Sequence, residues 1–267
     1  MATRRPTNIL TDCMSLQVKH RLLTGLSVIG IVGIFFVPRI PQDPAYHMFA
    51  DMRTILGIPN ALDVLSNFFF AWAGIEGLYR LLRQNSLQVM EELRLPYTVF
   101  FAGVALVSLG SAYYHWSPNN ETLVWDRLPM TIAFMSFFSI LCAERISLKL
   151  GLRLFPILLL AGLVSIIYWH FSEQAGQGDL RPYALVQFLP ILLTPLILLM
   201  LPARYDRTSG IWWFMFWYLM AKLLEWLDAE VFDVLTLVSG HSLKHVAAAI
   251  GCLVFLRYLR LRQPINP

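Results

Sequence analysis

Residues 239–245, Ser-Gly-His-Ser-Leu-Lys-His, open the last long apolar run of the chain, which continues to about residue 259. If this run is a helix, His241 and His245 lie one turn apart on one face, so both imidazoles can reach one point. Such a pair supplies two of the three protein ligands of a typical catalytic metal site. Two polar residues near water at a helix end would show the same spacing, so the choice depends on a third ligand elsewhere.

The composition places the chain among polytopic membrane proteins. Of its 267 residues, 57% are hydrophobic and 14% are charged, and several apolar runs reach the roughly 17 to 25 residues that a membrane-spanning helix needs. We predict an all-α membrane helical bundle, with one transmembrane domain at residues 22–262 after a cytoplasmic tail at residues 1–21. The eight predicted spans cover about residues 22–38, 62–82, 96–116, 123–146, 152–171, 182–201, 210–229 and 239–259.

The basic residues divide unequally between the two ends of these spans. With the N-terminal tail inside, the outer loops carry Arg39, Arg53 and Arg181. The inner side carries Arg4, Arg5, Lys19, Arg21, Arg80, Arg83, Arg94, Arg145, Lys149, Arg153, Arg204, Arg207, Arg257, Arg260 and Arg262. This asymmetry predicts that both termini are cytoplasmic. The net charge of +4 therefore indicates membrane topology and not a nucleic-acid partner.

A candidate third ligand lies at the outer end of the third span. Most histidines fall toward this non-cytoplasmic side: His47, His115, His170, His241 and His245. Ser111 and His115 are one helical turn apart, and a short turn then returns the chain so that Asp126 begins the fourth span near the level of His115. Asp126 is a candidate functional residue because a carboxylate buried in a membrane is costly without a partner. A structural salt bridge, with Arg127 or another cation, is the alternative.

Two further spans carry polar residues in helical spacing. In the second span, interhelical hydrogen bonding explains Asp63, Ser66 and Asn67 better than direct chemistry does. The seventh span carries more charge than a passive lipid-facing helix would, with three ionisable residues at three-residue intervals. These residues either surround the histidines or form a structural network beneath them: Lys222, Glu225 and Asp228.

The remaining candidates are apolar or interfacial. The fourth span has a stripe of methionine and phenylalanine residues: Met130, Phe134, Met135, Phe137 and Phe138. We predict that this stripe serves lipid contact or packing rather than forming a substrate wall, because these side chains fill irregular apolar space. His170 lies among aromatic residues at the end of the fifth span, so we interpret it as an interfacial histidine rather than a fourth ligand.

Together these motifs resemble the alkaline ceramidase family and the wider group of seven-helix membrane hydrolases that includes adiponectin-receptor-like proteins. The resemblance rests on Ser66-Asn67, Ser111-x3-His115, Asp126 followed by Leu128-Pro129-Met130, and His241-x3-His245 in the last span. It covers about residues 60 to 260, so the span at 22–38 looks like an addition to a seven-helix core.

The resemblance implies a zinc-dependent intramembrane lipid amidase. Zinc would be held by His115, His241 and His245, which leaves one tetrahedral position open as in catalytic zinc sites. Asp126 would orient the attacking water or take its proton, and Ser111 would donate a hydrogen bond to the developing oxyanion. The implied substrate is a ceramide-like N-acyl sphingoid lipid, which is hydrolysed to a fatty acid and a sphingoid base. Its acyl chains would lie within the bundle.

One region departs from the family pattern. Eukaryotic ceramidases have an acidic and aromatic calcium-binding cluster shortly before the Ser-Asn span, whereas residues 50–60 here contain one acid, Asp51, and one basic residue, Arg53. Calcium regulation is therefore doubtful, and residues 49–60 look closer to bacterial members of the family. A related fold could also hydrolyse another lipid amide or ester.

Two other classes of protein fit parts of the pattern. A receptor or scaffold could keep the zinc site for structure or signalling, and a fourth protein ligand such as His47 or His170 would favour that interpretation. A proton-coupled transporter would use the charged residues of the second and seventh spans as a relay. That interpretation fits worst, because the inner halves of the spans are apolar apart from Glu76 and Glu144.

Overall fold

The structure, a computed structural model, describes residues 14–265. These residues form helices joined by loops and contain no β-strand, which confirms the predicted all-α fold. The first half contains α1 (Leu16–Gly33), α2 (Ala61–Ser66), α3 (Phe68–Leu82), α4 (Arg94–Trp116) and α5 (Asn120–Arg145). The second half contains α6 (Leu148–Gln174), α7 (Arg181–Met200), α8 (Ser209–Trp226), α9 (Asp228–Leu235) and α10 (Gly240–Leu261). Arg4 and Arg5 of the predicted tail lie outside the described residues.

Six helices are long and apolar enough to cross a membrane, as expected for an integral membrane protein: α1, α4, α5, α6, α7 and α10. The other two predicted spans are interrupted. The span predicted at 62–82 divides into α2 and α3, because the Asn67 amide donates a hydrogen bond back to the Asp63 carbonyl (2.8 Å). Such side-chain bonds compete with the backbone pattern of a continuous helix. The span predicted at 210–229 ends as α8 at Trp226, and the chain continues in α9.

Helix α1 begins earlier than predicted. It starts at Leu16 and not at residue 22, because the Ser15 hydroxyl accepts a hydrogen bond from the Val18 amide and caps the first turn. Lys19 and Arg21, assigned to the tail by their polarity, therefore belong to the helix. Helix α1 packs against α7 at the edge of the bundle, and most of its apolar side chains are exposed. That exposure suits a helix that faces lipid.

The remaining helices pack side by side in chain order. Helix α3 packs on α4, α4 on α5, and α5 on both α6 and α7, while α10 packs against α8 and α3. Phe100, Phe137 and Phe255 join three of these helices, with ring centroids 5.4–6.4 Å apart. This arrangement brings the C-terminal end of α4 to the same end of the bundle as the N-terminal ends of α5 and α10.

A buried ion pair closes the opposite end of the bundle. Arg262 is fully buried, and its guanidinium donates hydrogen bonds to both carboxylate oxygens of Glu144 (2.8 Å each) and to the Tyr97 hydroxyl (3.1 Å). Its Nε donates to the Gln88 carbonyl (2.8 Å). Arg262 therefore ties the end of α10 to α5 and to the loop after α3. In the sequence, Arg262 counts only as one of the basic residues on the predicted cytoplasmic side.

Arg262→Met should destabilise the protein, because it leaves the Glu144 carboxylate buried without a counter-ion. Removing one partner of such a pair typically costs about 3–5 kcal/mol. We expect a clear fall in the thermal midpoint in detergent, and the double variant with Glu144→Met should recover part of the loss. Arg257→Met is the matched control, since Arg257 is exposed on the same helix. Equal midpoints for Arg262→Met and Arg257→Met would contradict a stabilising role for this pair.

Candidate metal centre

Three predicted ligands come together at one end of the bundle. His115 lies in the last turn of α4, while His241 and His245 lie in the first turns of α10. All three side chains are buried, and each offers a nitrogen within 4.8 Å of those of the other two. This buried group could hold a metal ion. His241 and His245 are therefore not simply two polar residues near water at a helix end, since both are buried beside His115.

The spacing of the nitrogens fits a small cation. The Nε2 atoms of His115 and His241 lie 3.3 Å apart. Two nitrogens bound to tetrahedral zinc, at about 2.0–2.1 Å each, would lie roughly 3.3–3.4 Å from one another. Imidazole nitrogens are also ligands that zinc accepts readily. The histidine group is therefore compatible with zinc in its chemistry and, for His115 and His241, in its spacing.

A hydroxyl beside His245 fixes the state of its ring. Ser66 Oγ lies 2.8 Å from His245 Nδ1 and 3.1 Å from the Asp63 carbonyl oxygen. A serine hydroxyl has one proton, which it donates to the carbonyl, so it accepts the proton of Nδ1 from the histidine. The lone pair on His245 Nε2 is then free to bind a metal. This interhelical contact agrees with the role predicted for Ser66.

Asp228 holds the start of α10. One carboxylate oxygen accepts from the backbone N–H of His241 (2.6 Å), and the other accepts from that of Ala50 (2.9 Å). Gly240 allows this close approach, because a Cβ at that position would overlap the Leu224 carbonyl of α8. Asp228 therefore supports the histidines directly, which was one of the two roles considered for the charges of the seventh predicted span.

The other role applies to the remaining charges of that span. Glu225 accepts hydrogen bonds from Lys222 (2.5 Å) and from Lys244 on α10 (2.7 Å). The Tyr46 hydroxyl lies 3.5 Å from the same carboxylate. The ion pair of Lys244 could not be predicted from the sequence, because its partner lies on another helix and no helical spacing relates the two residues. These three charges form a network that joins α8 to α10.

A cavity of about 460 Å³ lies beside the histidine group. Ser111, Asp126 and His245 all line it. The guanidinium of Arg127, the alternative partner for Asp126, instead donates to Gln42 (2.7 Å) and packs over Trp169 (4.4 Å to the ring centroid). The structure therefore places the two predicted catalytic side chains on the same wall as one histidine of the group.

The rest of the cavity is mainly apolar and extends between α5, α7 and α8. Met130, Phe134 and Phe137 of the predicted stripe line it, and Phe137 also packs against Phe100 and Phe255. The stripe therefore borders both the packed core and the cavity. Gln187 of α7 donates to the Tyr218 hydroxyl of α8 (3.1 Å) across this space.

The loop before α2 covers the histidine group at its end of the bundle. The ring of Phe49 packs on His115 and His241, with both centroid distances at 4.7 Å. Arg53 donates to Asp51 (2.7 Å), which lowers the pKa of that carboxyl, and also to the Leu237 carbonyl (2.8 Å). Asp51 and Arg53 therefore tie the loop to the chain before α10. Their pairing leaves the carboxylate of Asp51 engaged with the guanidinium of Arg53.

The two other histidines predicted on the non-cytoplasmic side lie outside the group. His47 is engaged through both ring nitrogens, with the Tyr114 hydroxyl (3.0 Å) and with Asn120 Oδ1 (2.9 Å). His170 contacts Gln174 (3.1 Å) on its own helix. Among residues 14–265, neither histidine joins the candidate metal group.

Gly110→Ala should disturb the pair of catalytic candidates. An added Cβ would overlap the Trp125 carbonyl and meet Pro129 at 3.3 Å, so α4 and α5 would have to separate next to Ser111 and Asp126. Overpacking of this kind costs about 1–3 kcal/mol. We expect a lower thermal midpoint and weaker activity.

Gly25→Ala in α1 is the control for this substitution, because a Cβ there meets nothing within 4 Å. It should leave both the thermal midpoint and the activity unchanged. If the Gly110 variant behaved like this control, the close approach of α4 and α5 would not matter for the site.

Comparison with known families adds a finding independent of this geometry. The family model described as Ceramidase matches residues 58–264, which is most of the chain. The matched segment runs from just before α2 to beyond α10 and contains all three histidines, whereas α1 precedes it. None of the curated proteins matches the chain.

Proposed function

Because the chain belongs to the ceramidase family, we propose that it is a zinc-dependent intramembrane amidase acting on a ceramide-like N-acyl sphingoid lipid. The observation that carries the proposal is the buried group of His115, His241 and His245 beside a largely apolar cavity. In the reaction, water adds its oxygen to the acyl carbon and the C–N bond breaks. The acyl half leaves as a fatty acid, and the nitrogen takes up a proton to become the amine of the sphingoid base.

The three histidines are the proposed zinc ligands. Zinc bound there supplies a Lewis acid and lowers the pKa of water toward about 7. Ser66 keeps the Nδ1 proton of His245 in place, and Asp228 fixes the backbone of His241. Phe49 keeps bulk water away from the outer side of the rings, and exclusion of water strengthens the electrostatic interactions inside a site.

Asp126 and Ser111 are the proposed catalytic residues. The Asp126 carboxylate orients the attacking water and takes its proton, and can then deliver that proton to the leaving nitrogen. The Ser111 hydroxyl donates a hydrogen bond to the oxygen of the acyl group as negative charge develops on it. Both side chains line the cavity with His245, so a lipid amide placed there meets all three.

The cavity supports a lipid as the substrate. Its polar end contains the catalytic candidates, and its apolar wall is suited to an acyl chain. The apolar wall includes Phe100, Val104, Phe134, Phe137, Ile191 and Phe214. A substrate drawn from the bilayer would keep its chains in apolar surroundings. The bilayer and the lipid substrate are thus the proposed partners.

A receptor or scaffold with the same fold is the competing proposal, and so is a hydrolase of another lipid amide or ester. A structural role would be favoured by a fourth protein ligand, yet His47 and His170 are engaged elsewhere. The cavity with Asp126 and Ser111 on its wall supports hydrolysis instead.

The proposed orientation follows the distribution of charge. The histidine group lies at the start of α10, whereas Arg257 and Arg260 lie near its end. With the arginine-rich ends in the cytoplasm, the centre faces the non-cytoplasmic side and both termini are cytoplasmic. The proposal keeps one transmembrane domain. It was predicted at residues 22–262, and its N-terminal bound moves to Leu16, where α1 begins.

The proposal is tested by metal analysis of the purified protein together with a fatty-acid release assay. The assay uses a panel of N-acyl lipids that includes ceramide, together with matched esters. About one zinc per chain and zinc-dependent release from an amide are expected. Stoichiometric zinc with no release from any lipid would favour the receptor or scaffold, and release from esters alone would change the assigned reaction.

A further inference from the structure

The polar end of the cavity carries more charge than hydrolysis of an uncharged lipid requires. Its charged lining residues are three cations and two carboxylates: Arg127, Lys222, Lys244, Asp126 and Glu225. Three positive charges against two negative charges leave one net positive charge, before any metal is counted. Ionisable residues within a membrane are costly and usually serve a function.

The net positive charge comes from the two lysines, because Lys222 and Lys244 share the single carboxylate of Glu225. Lys244 is 16% exposed and Glu225 19% exposed, and both ammonium groups of the network contact the same carboxylate. An ammonium group has three N–H donors, and in the described part of the chain the hydrogen bonds of Lys222 and Lys244 both go to Glu225. One carboxylate therefore serves two ammonium groups, each with further donors available at the cavity wall.

We propose that Lys222 and Lys244 form a subsite for an anionic group, a carboxylate or a phosphate, on the amine half of the substrate. This inference rests on the proposed amidase function and replaces the uncharged ceramide of that proposal with an N-acyl lipid that has an acidic head group. The acyl half is assigned to the apolar part of the cavity, so the amine half is the part that meets the charged end. An uncharged ceramide offers hydroxyl groups there but no charge to balance the lysines.

The position of the subsite supports this assignment. Lys244 is adjacent in sequence to His245, and both residues line the cavity together with Asp126. Lys222 approaches from α8, so the two ammonium groups reach Glu225 from different helices. An anion here would be bound by charge-assisted hydrogen bonds, which are stronger than those between neutral groups.

The test compares acids with uncharged analogues that share one acyl chain. The carboxylate probe is N-palmitoylglycine and its reference is the methyl ester. The phosphate probe is N-palmitoyl phosphoethanolamine and its reference is N-palmitoylethanolamine. For at least one pair, the wild type should show a KM about tenfold or more lower for the acid. The pair with the larger ratio identifies the anion.

Variants separate the subsite from a purely structural network. Lys222→Met and Lys244→Met should each lower the ratio of kcat/KM for acid to that for reference, and Lys149→Met, at an exposed position on α6, should not. Glu225→Gln should raise the ratio, because it removes the competing carboxylate. A structural network predicts equal losses for acid and reference in all three cavity variants. Unchanged ratios in the lysine variants, or a wild-type ratio near one for both pairs, would overturn the subsite.

Binding gives a readout that does not require turnover. The acid should raise the thermal midpoint of the wild type more than its reference does, and this difference should shrink in the lysine variants. Hydrolysis of ceramide with no acid preference would reject the subsite and keep the amidase. Preferential binding of the acids without hydrolysis of any probe would keep the subsite and reject the amidase.

Discussion

Replacement of His241 by alanine is expected to remove zinc and hydrolytic activity together. The substitution leaves two ligand imidazoles, His115 and His245, which is one fewer than catalytic zinc sites normally use. Without the ion, water loses the activation that zinc supplies, and we expect the rate to fall by roughly 1,000-fold or more. The measurement is zinc content by elemental analysis alongside fatty-acid release from the same preparation.

His170→Ala is the matched control for this loss. It removes a histidine from the same end of the bundle, near Glu121 in the first turn of α5. His170 contacts Gln174 and is not in the metal group. Zinc content and turnover should both remain as in the wild type. The proposed centre would be refuted if a variant lacking His115, His241 and His245 still retained one zinc per chain.

The helices could be predicted from the sequence because their signal is local. Each of the six long helices coincides with a predicted apolar run. The start of α1 differs from the predicted residue 22 because Ser15 caps the helix at Leu16. The break between α2 and α3 was missed because it depends on a side chain that bonds back to the backbone, as Asn67 does to Asp63. Hydropathy treats Asn67 as one polar residue within an apolar run and gives no sign that the helix ends there.

The three histidines could be predicted as a group for a different reason. The spacing within α10 puts His241 and His245 on one face, the predicted topology puts His115 at the same end of the bundle, and the resemblance to the ceramidase family joins all three as ligands. What surrounds the histidines could not be predicted, because Phe49 and Lys244 make their contacts with residues far away in the chain. The position of Phe49 depends on a loop that has no periodic pattern. The role of Lys244 could not be predicted because its partner, Glu225, lies on another helix.

Asp126→Asn is expected to keep the fold and the metal while most turnover is lost. The amide has nearly the same shape as the carboxylate and can still occupy the cavity wall beside Ser111. It cannot accept a proton from water, and general base catalysis typically contributes about 10²- to 10⁴-fold to a rate. The loss should appear in kcat rather than in KM, because Asp126 acts on the water and not on the acyl chain.

Glu121→Gln separates this effect from a general loss of charge. Glu121 lies in the first turn of the same helix, but its side chain is 68% exposed and it does not line the cavity. The control should therefore retain wild-type kcat. An undiminished kcat in Asp126→Asn would exclude Asp126 as the base. A fall in zinc content in that variant would instead make Asp126 part of the structure that holds the ion, and the proton would then need another acceptor on the cavity wall.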